Sequence, residues 1–151
     1  MNTIQYGYRS TDGSTTEHHI RRVILWSQAQ RAALQAGQQP AVAVYRVVHV
    51  IHEDPFSGDC TAEPVTAWAE LPTDTAVQFG IYRNSATPVR EASQIDLNCL
   101  PRLHELTGEG DPHGSSPRDG GHIVYRAVAL HPQRGSILFP LAAWTLLYPN
   151  L

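Results

Sequence analysis

With 151 residues, the chain has the length of one domain, enough to bury roughly two thirds of its unfolded surface without disulfides or metal. A hydrophobic share of 42% is ordinary for a globular chain, whereas the 17% of charged residues falls below the roughly 25% usual in soluble proteins, so Gln, Thr, Ser, Asn and His supply much of the polar surface. A formal charge of -3 has the wrong sign for a general nucleic-acid binder. Met1 to Tyr8 lacks the basic start and apolar run of a secretory leader, and no apolar stretch reaches the ~18 residues of a membrane span; a cytoplasmic, reducing setting is expected. Cys60 and Cys99 lack CxxC spacing, which excludes a zinc ribbon and a disulfide framework while leaving a single pairing open.

In chain order, Ile4 to Tyr8 reads as a short strand, followed by the turn Ser10-Thr11-Asp12-Gly13-Ser14. Ser14 and Glu17 have capping-box spacing. Apolar residues at Ile20, Val23, Ile24 and Leu34 then predict a long helix from about Thr15 to Ala36, ended by Gly37 and Pro40. Ala41 to His52 is β-branched on both faces and reads as a central strand. Asp54 to Asp59 is a loop, Val65 to Leu71 a second strand between Pro64 and Pro72, and Ala76 to Arg83 a third. Glu91 to Asn98 is a short helix or irregular, and Pro101 fits the first turn of a helix that runs to Leu106 before Gly108. Thr107 to Gly121 carries no apolar side chain except proline and reads as a flexible loop. His122 to Leu130 resumes as strand, Ser136 to Phe139 returns as its antiparallel partner, and Leu141 to Leu147 is helix or strand.

The fold expected from this order is α+β: one domain over 1–151, a mainly antiparallel sheet, and the long N-terminal helix packed on one face. Val-Tyr-Arg occurs at 44–46 and again at 124–126, with a further valine two positions on. Two strands under similar packing demands produce such a match, and an internal duplication is not the expectation.

Alternation along a strand puts Arg46 in phase with Val44 and Val48, and Arg126 in phase with Val124 and Val128; Arg83 closes the series Val77, Phe79, Ile81. Arginine is seldom buried unless paired, so these three either cover apolar surface with their stems or meet acids or an anion. With no lysine in the chain, lysine-centred phosphate and Schiff-base chemistry is excluded. Arg46, Arg83 and Arg126 are therefore the candidate contacts for a phosphate-containing ligand, with His52, supported by Asp54, and His113 as candidate proton carriers. His49 and His52 point to opposite faces of an uninterrupted strand, and no HExxH or HxH occurs, so no metal is expected; nor is a cofactor.

From Gly135 to Leu151 the chain carries no formal charge. That makes Trp144, Leu147 and Tyr148 candidates for a protein or self-association surface. The leading expectation is a small intracellular interaction protein, a structural subunit of an assembly or a protein inhibitor; the alternative is an enzyme or binding domain for a phosphate-containing ligand.

Overall fold

A computed structural model describes residues 1–9, 13, 15–17, 42–54, 56–57, 60–72, 74–84, 89–91, 99–110 and 121–149. Two antiparallel sheets of five strands each carry the fold. In the first, β1 (Asn2–Arg9) lies between β2 (Thr15–Glu17) and β3 (Val42–Glu53), and the far edge of β3 takes both β4 (Cys60–Pro64) and β5 (Ala69–Glu70). In the second, β6 (Thr75–Tyr82) lies between β7 (Arg90–Glu91) and β8 (His122–Leu130), and β8 takes β9 (Ile137–Pro140) and β10 (Thr145–Leu146). The helix α1 (Leu100–Thr107) links β7 to β8. Pro101 occupies its first turn, where the missing N–H costs nothing, and Gly108, at φ 73°, ends it by donating its N–H to the His104 carbonyl at 2.8 Å.

The α+β class holds, but the long N-terminal helix is overturned. The described helix lies mid-chain, and the first turn of the expected one, Thr15 to Glu17, is strand β2, paired with Gly7, Tyr8 and Arg9. Gly13 at φ 86° reverses the chain, and the open edge of β1 then offers Thr15 and Thr16, β-branched and poor helix starters, a ladder instead of a helical turn. The remainder of that expectation, 18–36, lies outside the described residues. Val65 to Leu71 is not one strand either. The Val65 and Thr66 N–H groups both reach the Val47 carbonyl, so the chain bends there and only Ala69 and Glu70 pair again with β3. Of the 107–121 loop, Gly108 to Gly110 follow the helix directly, and 111–120 lie outside the described residues.

One face of each sheet closes a shared core. Ile4, Tyr6 and Val47 from the first sheet form one buried cluster with Phe79, Ile81, Ile123 and Tyr125 from the second, and Leu100 and Leu103 of α1 join it. Fully burying such side chains is worth about 1.5–3 kcal/mol each, so the two sheets are held chiefly by this cluster.

The second half of the chain repeats the first, strand for strand. Gly7 faces Glu17 and Gly80 faces Glu91. Gln5, Tyr6 and Gly7 face Arg46, Tyr45 and Val44 just as Gln78, Phe79 and Gly80 face Arg126, Tyr125 and Val124. Val48 pairs with Pro64 and Val128 with Pro140, while Tyr45 pairs with Ala69 and Tyr125 with Thr145. Even the loop bonds recur: Leu71 N–H to the Ala43 carbonyl, and Leu147 N–H to the Ile123 carbonyl. Similar packing demands on two strands do not by themselves reproduce four strand pairings and their registers. The described strands of the second half thus repeat the pairing pattern and registers of the first, a more extensive likeness than Val-Tyr-Arg alone led us to expect.

Candidate functional site

The repeated strands place the same side chains on the sheet face opposite the core. On β3, Tyr45 and Val47 turn inward, so Arg46 projects outward between the buried Val44 and Val48. Its Nε donates to Gln5 Oε1 at 3.0 Å, and its guanidinium carbon lies 4.2 Å from the centre of the Trp68 ring. In the second half, Arg126 Nε donates to Gln78 Oε1 at 3.0 Å, and the guanidinium lies 4.0 Å from the centre of the Trp144 ring. Each triad solves the problem posed by an arginine among valines. The glutamine, itself buried, supplies an acceptor, and the tryptophan face attracts the cation while covering it. Trp68 follows the bend after β4, and Trp144 the equivalent bend after β9.

Arg46 and Arg126 thus belong to different sheets, on faces turned away from the shared core, and each is engaged by its own glutamine and tryptophan. Arg83 lies just beyond β6 and is exposed. The three are not brought together on one sheet face. His52 is exposed near the end of β3, after a register shift between Val50 and His52. Asp54 accepts the Phe56 N–H at 2.9 Å and the Ser57 N–H at 3.5 Å, which closes the turn that follows; the bond from Phe56 holds its carboxyl below the usual carboxylate range. His113 lies outside the described residues. Among the described residues no group of three or more His, Cys, Asp or Glu could hold a metal ion.

A polar network that neighbouring sequence positions did not announce ties the ends of the chain to α1. The Tyr148 hydroxyl accepts the Asn2 N–H at 2.9 Å and donates to His104 Nε2 at 2.8 Å, while His104 Nδ1–H donates to the Leu100 carbonyl at 2.8 Å. Asn2 also donates through Nδ2 to the Leu147 carbonyl at 2.8 Å and accepts at Oδ1 from His49 Nδ1, 2.7 Å away. Burial lowers the His104 pKa, outweighing the opposing effect of the Leu100 carbonyl; the positive N-terminus lowers it further. Burial likewise raises the Tyr148 pKa. Beside them Glu109, its side chain 7% exposed, accepts the Ile123 N–H and stands 3.4 Å from His122 Nδ1. The neighbouring Glu105 takes no part in the network and turns outward to Arg102 at 3.0 Å, as i,i+3 spacing on a helix allows.

The uncharged C-terminal segment divides in two. Leu147 is fully buried, Tyr148 is half-buried in the network, and Trp144 is half-buried over Arg126. The preceding residues face outward: Leu138 is 53% exposed, Phe139 55% and Leu141 48%, with Pro140, Ala142 and Ala143 exposed among them. Chargelessness over Gly135 to Leu151 was the signal for a surface here, but it could not say which residues the core would take.

Comparisons with protein-family models, with curated proteins and with solved structures give no match. Among the described residues no helix is long and apolar enough to cross a membrane.

Proposed function

We propose that the protein is an interaction protein, a structural subunit of an assembly or an inhibitor, and that it meets its partner through the strip from Ile137 to Ala143. The observation that carries this reading is the exposure of Leu138 and Phe139 on β9 and of Leu141 just past its end. Several exposed apolar side chains close together in sequence, with no charge among them, are costly to leave in water and often mark a contact site. The anion-binding alternative is carried less far, because Arg46 and Arg126 already have tryptophan and glutamine partners. The cytoplasm remains the setting we favour, where a buried cysteine such as Cys99 is ordinary.

A photo-crosslinking residue placed at Leu138 in the full chain tests the reading in extract from the producing cells. The expected result is one discrete protein adduct, absent when the same residue replaces Val65 in the first half. Crosslinking no stronger at 138 than at 65 overturns the interaction role for this strip.

A further inference from the structure

We infer that His104, Tyr148 and Asn2 form an acid-operated latch: a second proton on the His104 ring releases α1 from the core while the paired strands of both sheets stay folded. The inference is independent of the interaction reading above. Its ground is hydrogen-bond accounting. The Leu100 carbonyl only accepts, so the ring nitrogen 2.8 Å from it, Nδ1, carries the proton of the neutral imidazole. Nε2 is then the acceptor, and the Tyr148 hydroxyl, 2.8 Å away, donates its one proton there while accepting the Asn2 N–H at 2.9 Å. A proton added at Nε2 sets two donors against each other. The hydroxyl can receive it only by turning its own proton away, and on one side Gly110 closes that space, since even a Cβ on this glycine would collide with the oxygen.

The groups around His104 do not compensate an imidazolium. The positive N-terminus at Met1 opposes it. Glu109, whose charge reaches Tyr148, already accepts the Ile123 N–H and faces His122, and Glu105 on the same helix turns to Arg102. Among the described residues no carboxylate forms an ion pair with His104. A buried cation without a partner is strongly disfavoured, and burial, the largest influence, does hold the His104 pKa below the ordinary 6.5. His49 and His122 respond differently. Asn2 donates through Nδ2 to the Leu147 carbonyl, so its Oδ1 accepts and His49 donates from Nδ1; a proton added at the other nitrogen of this exposed ring leaves that bond in place. One added to His122 strengthens its attraction to Glu109. Of the histidines in or beside the network, His104 is the one that loses a bond by charging.

The part able to yield is α1. It is a helix of 8 residues, too short to hold its shape without the core, and it reaches that core through Leu100 and Leu103. By contrast, β1 and β6 are paired along their whole length with β3 and β8. Losing the latch therefore uncovers Leu100 and Leu103 at a cost below that of parting the sheets, which is the condition for a local opening. Acid thus becomes a signal that exposes apolar surface in an otherwise folded chain.

Hydrogen exchange followed by NMR on the full chain, from about pH 7.5 to about pH 5 and at low urea concentrations, tests the latch. The amides of Leu106, Thr107 and Gly108 should be less protected than those of β3 and β6, and should lose protection about tenfold for each pH unit below about 6.5 until the folded pKa of His104 is reached. Their exchange should depend little on urea, because the opening bares little surface, whereas exchange in β3 and β6 should rise steeply with it. His104→Gln supplies a donor and an acceptor but takes no proton, and should abolish the pH dependence at α1; His49→Gln should leave it. Exchange of α1 and the central strands with one shared pH and urea dependence, or an α1 response that persists in His104→Gln, overturns the latch. Should that variant fail to fold, titration of the His104 ring signals in the unaltered chain decides: protonation at or above about pH 6.5 overturns the inference, and protonation below it, accompanied by loss of α1 protection, upholds it.

Discussion

The Tyr148 hydroxyl accepts the backbone N–H of Asn2 at 2.9 Å, joining the last strand-bearing segment of the chain to its first. The same hydroxyl donates to His104, so one oxygen fastens three parts of the fold: the edge of the first sheet, the end of the second, and α1.

Removing that oxygen with Tyr148→Phe leaves a part-buried N–H and a histidine nitrogen without their partner. The expected loss is about 1–3 kcal/mol of unfolding free energy, measurable by urea denaturation with an unchanged m-value, since the core packing of the ring is retained.

His104 makes the network sensitive to acid. Its folded pKa lies below the ordinary 6.5, chiefly because of burial, so on acidification the unfolded chain takes up a proton first. Its contribution to stability is complete above about pH 6.5 and is lost as the pH falls through that value towards the lower folded one. Denaturant midpoints measured from neutral to mildly acidic pH should decline, and His104→Gln, which cannot titrate, should decline less over the same window.

Gly110 lies against the network at φ 74°, and a Cβ there would collide with the Tyr148 hydroxyl. Gly110→Ala therefore meets both a strained backbone and an obstacle, at an expected cost of about 1–3 kcal/mol. In a Tyr148→Phe background the oxygen is gone, so a double-mutant cycle should return a coupling between the two sites.

For the arginine triads, Arg126→Lys keeps the charge but loses the planar stack on Trp144 and the Nε donor to Gln78, whose side chain is buried. A loss of about 1–3 kcal/mol is expected, whereas Arg83→Lys, at an exposed position, should change stability little. Thermal denaturation of the two variants side by side checks this.

Strands β3, β6 and β8 were legible because β-branched residues and strict alternation identify them locally, and alternation also gave the phase of Arg46 and Arg126. Pro101 and Gly108 marked α1 for the same reason: each acts on its own backbone. What covers the arginines was not legible. Trp68 reaches Arg46 only because the chain bends after Pro64, and apolar content over Val65 to Leu71 resembles a strand whether or not it bends. The repeated strand pairing escaped because its matching residues are scattered. Gln5-Tyr6-Gly7 and Gln78-Phe79-Gly80 lie far from the Val-Tyr-Arg runs they pair with, and the linking segments differ in length. The polar network was hidden similarly, since Asn2, His104 and Tyr148 share no neighbourhood until the two sheets close. Exposure of Leu138, Phe139 and Leu141 follows from which stretch of the C-terminal segment the core accepts, something hydropathy alone does not divide.

The repeat has a further consequence for how the molecule holds together. A chain cut after Leu71 would yield two pieces, each with one sheet and one bare apolar face: Ile4, Tyr6 and Val47 on the first, Phe79, Ile123 and Tyr125 on the second. Among the described residues the larger cluster exists only when the two pieces meet, the second piece keeping just a small one of its own around Val128 and Leu130. Unfolding should consequently be a single event in which both halves separate and melt together, and the two pieces, expressed apart and mixed, should find each other.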